Sequence, residues 1–319
     1  MTAYLNYPEW IRPEIIPNAP FRWYGLMYLV AFLVAYFLFS KQVKERKLDL
    51  SKDDVANFFI WGIVGLLIGA RIFGTLVYDT TGLYIRKPWL IFLPFSEDWR
   101  FIGYMGMSFH GGVIGGIIGV MLYCKKYKRD FLELADMLAI SIPLGYTFGR
   151  LGNFINGELW GKVTTAPWGM VFPYAQRFPA SEPWVQEIMN KIGMTASGSL
   201  VNLPRHPSQL YEALFEGIVL GCIMWFIIRK HNLFKGFAMS VFISGYGVIR
   251  FILEYFREPD ADIGYIIKLG DPNTSIHVYS TPLNFSMGQL LSFLMIAGGL
   301  ILLLVSYNRD KKAKALQTS

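Results

Sequence analysis

The sequence predicts an all-α integral membrane protein of seven transmembrane helices with a small outward-facing cap. Three observations carry this. Of 319 residues, 53% are hydrophobic and only 17% charged, where soluble domains run near about 25% charged. Seven apolar runs approach the roughly 20 residues that a helix needs to cross a hydrocarbon core. Lysine and arginine also alternate in density from one connecting segment to the next, which is the pattern that fixes topology.

The expected spans are about 22–40, 56–78, 104–124, 134–150, 208–228, 236–256 and 285–307. The fourth is short and contains Pro143 and Gly145, which favour a kink. Segments 41–55, 125–130, 229–235 and 308–319 hold 16 of the 30 basic residues in 40 positions. The alternating segments hold 11 in 132 positions. This contrast puts the N-terminus outside and the C-terminus inside. The opening "MTAYLNYPEWIRPEIIPNAP" has no basic n-region and no small-residue cleavage site, so no removable signal peptide is expected.

The chain reads as one membrane domain, and no internal repeat is evident. Segment 151–207, rich in Pro, Trp and Gly, is expected to form the cap with some extended structure. Glycines recur every four residues (Gly65 and Gly69; Gly111, Gly115 and Gly119; Gly217 and Gly221), a spacing that lets helices approach closely.

The net charge of +7 sits in short runs between apolar segments, not on one face, so it does not indicate nucleic acid. Cys124 and Cys222 lie in or beside apolar runs, without a CxxC spacing, and are expected only to pack. Four histidines, with no HExxH and no carboxylate cluster at ligand spacing, give no metal site. No GxSxG elbow, Walker loop or GxGxxG is present. No cofactor is expected.

Polar residues inside spans are costly and mark function. In "GRLGNFINGELWG", 149–161, Arg150, Asn153 and Asn156 share a face if the helix continues. The glycines, Gly161 among them, argue instead for a loop whose backbone comes close to something. In "GYGVIRFILEYFRE", 245–258, Tyr246, Arg250 and Glu254 fall at i, i+4 and i+8, one polar stripe in which Arg250 and Glu254 can pair. An arginine held this way suits a phosphate, whose oxygens match its planar fork. His110, in "MSFHGGVIGG", lies at the outer entry of the third span, where a base of pKa near 7 meets the lipid interface. Arg22, Trp23 and Tyr24 form an interfacial aromatic anchor. Arg71 either snorkels or braces a neighbour. Gln209, Tyr211 and Glu212, in "RHPSQLYEA", either cap the fifth span or line the same cavity. Together these residues read as a receptor for an anion attached to lipid, and arginine clamps can stabilise a departing phosphate oxygen. A small-anion transporter is the rival reading, but it favours repeated halves. A different phospholipid headgroup transferase is the rival among enzymes.

"GRLGNFINGELWG" resembles the signature of bacterial prolipoprotein diacylglyceryl transferases, G-R-x-G-N-F-x-N-x-E-x-x-G. The match falls at Gly149, Arg150, Gly152, Asn153, Phe154, Asn156, Glu158 and Gly161. "FHGG", "HPSQLYE" and "YGVIRFILEYFREPD" resemble further family segments in the expected order, so the likeness covers most of 20–307. Segments 151–207 and 261–284 are longer than the pattern requires.

The resemblance implies transfer of the diacylglyceryl group of phosphatidylglycerol to the lipobox cysteine thiol of a prolipoprotein precursor. A thioether forms and glycerol 1-phosphate leaves, in a bacterial inner membrane. No enzyme cysteine is needed, since the nucleophile belongs to the substrate. It further implies that Arg150 and Arg250 hold the phosphate, with Tyr246 and Glu254 orienting Arg250. Asn153, Asn156, Glu158 and Gly161 would position the glyceryl portion or the loop itself, and Tyr24 the headgroup. His110 is the favoured base for the thiol, with Glu158 or a water as the alternatives.

Overall fold

The computed structural model describes residues 4–16, 22–101, 106–231, 233–271 and 275–318. The main helices are α1 (Trp23–Glu45), α2 (Lys52–Val77), α3 (Phe109–Lys126), α4 (Phe131–Ile155), α5 (Pro183–Ile192), α6 (Ser208–His231), α7 (Phe237–Leu253) and α8 (Met287–Thr318). A helix occupies each of the seven expected runs. Five of them, α1, α2, α4, α6 and α8, are long and apolar enough to cross a membrane, and α7 is apolar but has 17 residues. The chain is a multi-pass membrane protein.

Helix ends depart from the apolar runs where caps, not hydropathy, decide them. Helix α2 begins at 52 because Ser51 and Asp54 close a reciprocal capping box. Helix α4 passes through Pro143 and runs to 155, past the expected end at 150. Gly157, at φ 64°, takes the left-handed turn that follows. Helix α8 continues well beyond 307 as a polar extension. Residues 104–105, the start of the expected third span, lie outside the described residues.

The chain divides into two compact units, 39–135 and 1–38 with 136–319. In the first, α2 and α3 pack through glycine. A Cβ on Gly65 would lie 2.3 Å from the Gly115 carbonyl oxygen, and one on Gly119 2.2 Å from that of Trp61. Side chains are excluded there, so the two backbones touch. Phe39 stacks on Phe58, and the Tyr123 hydroxyl donates to the Asp54 carbonyl at 3.0 Å. Arg71 is buried and donates to the carbonyls of Ile91 (2.5 Å) and Leu90 (3.1 Å). It braces the segment after α2 instead of snorkelling.

In the second unit, Ala139 and Ile140 of α4, Leu220, Met224 and Trp225 of α6, and Ala238 of α7 form one apolar core. Helix α6 contains π-helical winding over Ala213–Val219 and again over Ile223–Ile227. Such wide turns concentrate at functional sites. Among the described residues the polar segments build three two-stranded sheets: β1 (Leu5–Asn6) parallel to β2 (Met170–Val171), β3 (Phe178–Pro179) antiparallel to β4 (Leu200–Val201), and β5 (Tyr265–Lys268) antiparallel to β6 (Asn284–Ser286). Helix α5, with Val185 facing inward, packs with Val163, Phe178, Val201 and Leu203 into a small core of their own. Segment 151–207 thus carries its own strands, helix and core, and the described part of 261–284 contributes β5.

Candidate functional site

Three helices of the second unit each present polar groups at four-residue spacing to one buried place. Helix α4 brings Tyr146 and Arg150, α6 brings Glu212 and Glu216, and α7 brings Tyr246 and Arg250, with Glu254 capping its end. At i and i+4 two side chains lie on one helical face, so each helix delivers a pair.

Glu212 joins them. Its side chain is 1% exposed, and its carboxylate lies 2.8 Å from Arg150 Nη1 and 3.2 Å from Arg250 Nη1. Arg257, just beyond α7, donates to the same carboxylate at 3.2 Å. Arg250 also meets Glu216 at 3.6 Å and Glu254 at 3.0 Å. Tyr146 receives Arg150 Nε at 2.5 Å, donates to Glu216 at 2.5 Å, and lies 3.4 Å from the Tyr246 hydroxyl. Ser286 donates to Glu254 at 3.0 Å. Three guanidiniums and three carboxylates therefore interlock in one network. Removing ions from water costs several kcal/mol each, recovered only when every partner is well placed. Such an assembly is poor value for stability alone. Each arginine carries five N–H donors in a planar fork, so donors remain for a further anion.

The signature loop is a second constellation. Arg150 and Asn153 are on α4, whereas Asn156 to Gly161 form the turn after it, so the helical and loop readings each hold for part of the stretch. Glu158 Oε1 accepts from Asn153 at 2.9 Å and Asn156 at 3.3 Å. Leu159 holds a left-handed φ of 58°, unusual for a branched side chain. The "HPSQ" segment holds the strained turn in place: Gln209 donates to the Glu158 carbonyl at 2.6 Å and Ser208 to that of Leu159 at 2.9 Å. Gly161 permits a crossing, since its Cβ would lie 2.2 Å from the Phe256 carbonyl. Tyr24 donates to Tyr28 at 3.0 Å, and its ring lies beside Gly152 of this stretch.

The structure thus brings Arg150, Arg250, Tyr246 and Glu254 together, with Asn153, at the end of α4, grouped with Asn156 and Glu158 of the adjoining loop. His110 is on the separate 39–135 unit, exposed in the first turn of α3. Sequence reading did not single out Tyr146, Glu216 or Arg257, and left Glu212 between cap and cavity. Their signal was present: Tyr146 lies four residues before Arg150 and Glu216 four after Glu212, in otherwise apolar runs.

Beyond the helices, Arg205 is fully buried and donates to Glu258, with Trp160 and Phe178 against its guanidinium. His277 hydrogen-bonds the other oxygen of Glu258 at 2.6 Å. Burial opposes ionisation of Glu258, but the His277 hydrogen bond and the Arg205 charge outweigh it and hold its pKa below the ordinary carboxylate value. Lys162 is buried, donates to the Tyr255 carbonyl at 3.0 Å and faces the Tyr265 ring. Burial lowers its pKa to about 8. His206, beside it, is lowered to about 4 by burial and by the Lys162 charge.

Apolar helices around a buried network of arginine and glutamate define a membrane-embedded protein with a charged centre, of the kind that handles ionic substrates in lipid. A model of the prolipoprotein diacylglyceryl transferase family matches residues 13–305. The chain is 51% identical to the phosphatidylglycerol–prolipoprotein diacylglyceryl transferase of Treponema denticola over 98% of each chain. It is 49% identical to that of Treponema pallidum, over 97% of this chain and 98% of the relative. It is 40% identical to that of Borreliella burgdorferi, over 98% and 97%. The chain belongs to the prolipoprotein diacylglyceryl transferase family, as its signature stretch leads one to expect.

Proposed function

We propose that this protein moves the diacylglyceryl group of phosphatidylglycerol to the lipobox cysteine of a prolipoprotein, the first step of lipoprotein maturation. The observation that carries the mechanism is the shared carboxylate of Glu212, which brings Arg150 and Arg250 to one place. The phosphate of the lipid binds across these two forks. Arginine recognises phosphate oxygens bidentately, and in a dry site the interaction is strong. The sulfur of the substrate cysteine attacks the glyceryl carbon that bears the phosphate ester. A carbon–sulfur bond forms, the carbon–oxygen bond breaks, and glycerol 1-phosphate leaves with its oxygen charge held by an arginine. The thiol proton goes to a base, for which His110 is favoured over Glu158 or a water. A free thiol titrates near about 8.5, so the step needs one.

Glu254 and Tyr246 orient Arg250, and Tyr146 orients Arg150. Asn153, Asn156 and Glu158 shape the signature loop against the glyceryl portion, with Gly161 fixing its close backbone crossing and Tyr24 contacting the headgroup. The protein lies in the bacterial inner membrane as one domain of seven spans. Its N-terminus and the 151–207 cap face outward, where precursors emerge.

The test is direct. Purified protein is incubated with phosphatidylglycerol and a lipobox peptide, and the peptide is weighed by mass spectrometry. A gain of one diacylglyceryl group on cysteine, absent from a Cys→Ser peptide, is expected. No gain, or a gain on the serine peptide, overturns the reading.

A further inference from the structure

The carboxylate of Asp136, fully buried near the start of α4, accepts from two backbone amides of another helix. Oδ2 takes the N–H of Gly236 at 2.8 Å, and Oδ1 takes that of Met239 at 2.8 Å. These are the N-cap and N3 positions of α7, two of the amides that a helix start leaves without partners. A helix normally satisfies them itself, through an N-cap side chain reaching N3 and an N3 side chain reaching back. Helix α7 has neither device. Gly236 has no side chain and sits at φ 91°, and Met239 has no carboxylate. One residue from α4 therefore performs both halves of the cap, a hundred positions away in the chain.

The position of this cap bears on the charged centre. Arg150 lies fourteen residues after Asp136 on α4, and Arg250 lies fourteen residues after Gly236. The two helices leave the clamp in the same direction, since both arginines reach Glu212. At about 1.5 Å per residue each guanidinium is carried to a similar depth, roughly 21 Å along. A slip of one residue at the clamp would carry Arg250 past Glu212 by about 1.5 Å and rotate it by about 100°.

We propose that Asp136 is a positioning residue that sets the register of α7 against α4, and so the alignment of the two arginines. The role in catalysis rests on the transfer reading given above; the register role does not. Displacements of about 1 Å at a reacting centre can cost about 100-fold in rate.

Two readouts separate these. In a background with Cys124→Ala and Cys222→Ala, spin labels are attached at Gly149→Cys on α4 and Val248→Cys on α7. The distance distribution is then measured with Asp136 intact and with Asp136→Ala. A narrow distribution that broadens or shifts on substitution is expected, and an unchanged one overturns the register role. In parallel, kcat for the lipobox peptide is measured in Asp136→Ala and in Ser51→Ala, which removes an ordinary cap from α2. Both variants should unfold at lower temperature. Only Asp136→Ala should lose kcat, by about 100-fold, with Asp136→Asn intermediate because it keeps one acceptor. Equal kcat losses in the two cap variants overturn the positioning role. If Asp136→Ala does not fold, Asp136→Asn is read by the same two criteria. If the parent protein does not acylate the peptide, the transfer reading fails, and the spin-label distances still decide the clamp.

Discussion

Arg250→Lys keeps the positive charge and loses the planar fork, so a lysine there can meet Glu212 or a phosphate oxygen but not both in fixed geometry. Transferase activity is expected to fall by two orders of magnitude or more, with insertion into the membrane unchanged; near-parental turnover would remove Arg250 from the phosphate role. Glu212→Gln should be as damaging for a different reason. It preserves shape while leaving guanidiniums facing one another, and breaking a buried ion network of this kind costs about 3–5 kcal/mol. Its thermal midpoint should therefore drop along with its activity. A midpoint equal to the parent's would show that Glu212 does not hold the network together.

Lys162 makes a prediction with a sign. Its folded pKa of about 8 lies below the ordinary lysine value of 10.5, mainly through burial. Between these values the unfolded chain binds more protons than the folded one, so stability rises as pH rises through that window. Below pH 8 the burial cost is fully present. Lys162→Met should raise the thermal midpoint at pH 7 and flatten its rise between pH 8 and 10.5, which a pH series of melts would reveal. Glu258 gives a slope of the same sign, but at acid pH. Its depressed pKa contributes stability above the ordinary carboxylate value that is lost as pH falls through the folded value.

At the scale of elements, the membrane helices were legible because apolar runs of about 20 residues have few other readings. Their ends were not, since Ser51 and Gly157 act through local hydrogen bonds and backbone handedness that hydropathy does not register. Arg150 and Arg250 stood out because a charge in an apolar run is conspicuous. Glu216 and Tyr146 carried the same kind of signal, each standing in an apolar run four residues from a partner already noticed, and were legible but not singled out. The Asp136 cap could not have been read at all: Gly236 carries no side chain to announce it, and its partner lies on another helix. The four-residue glycine spacing was read as packing, and α2 with α3 fulfils it. Gly115→Val should therefore destabilise the protein, because its Cβ alone would lie 2.2 Å from the Gly65 carbonyl oxygen. A thermal midpoint lowered by several degrees is expected; no change would mean the helices separate without cost.

For the molecule as a whole, the alternation of basic segments makes a topological claim that a fusion can check. Alkaline phosphatase joined after residue 319 should be inactive, because the C-terminus is proposed to face the cytoplasm, and the same enzyme inserted in the 151–207 cap should be active. The reverse pattern would place the signature loop on the wrong side for a secreted precursor. The family assignment and the buried network meet in one physical idea: two arginines from helices a hundred residues apart are held by a common glutamate, and an anionic lipid is proposed to bridge them. The most direct measurement is a structure of the protein with phosphatidylglycerol bound. Its phosphorus should lie between the guanidiniums of Arg150 and Arg250, with oxygens within about 3.2 Å of both. A headgroup bound elsewhere, with the two arginines still closed on Glu212, would contradict the account.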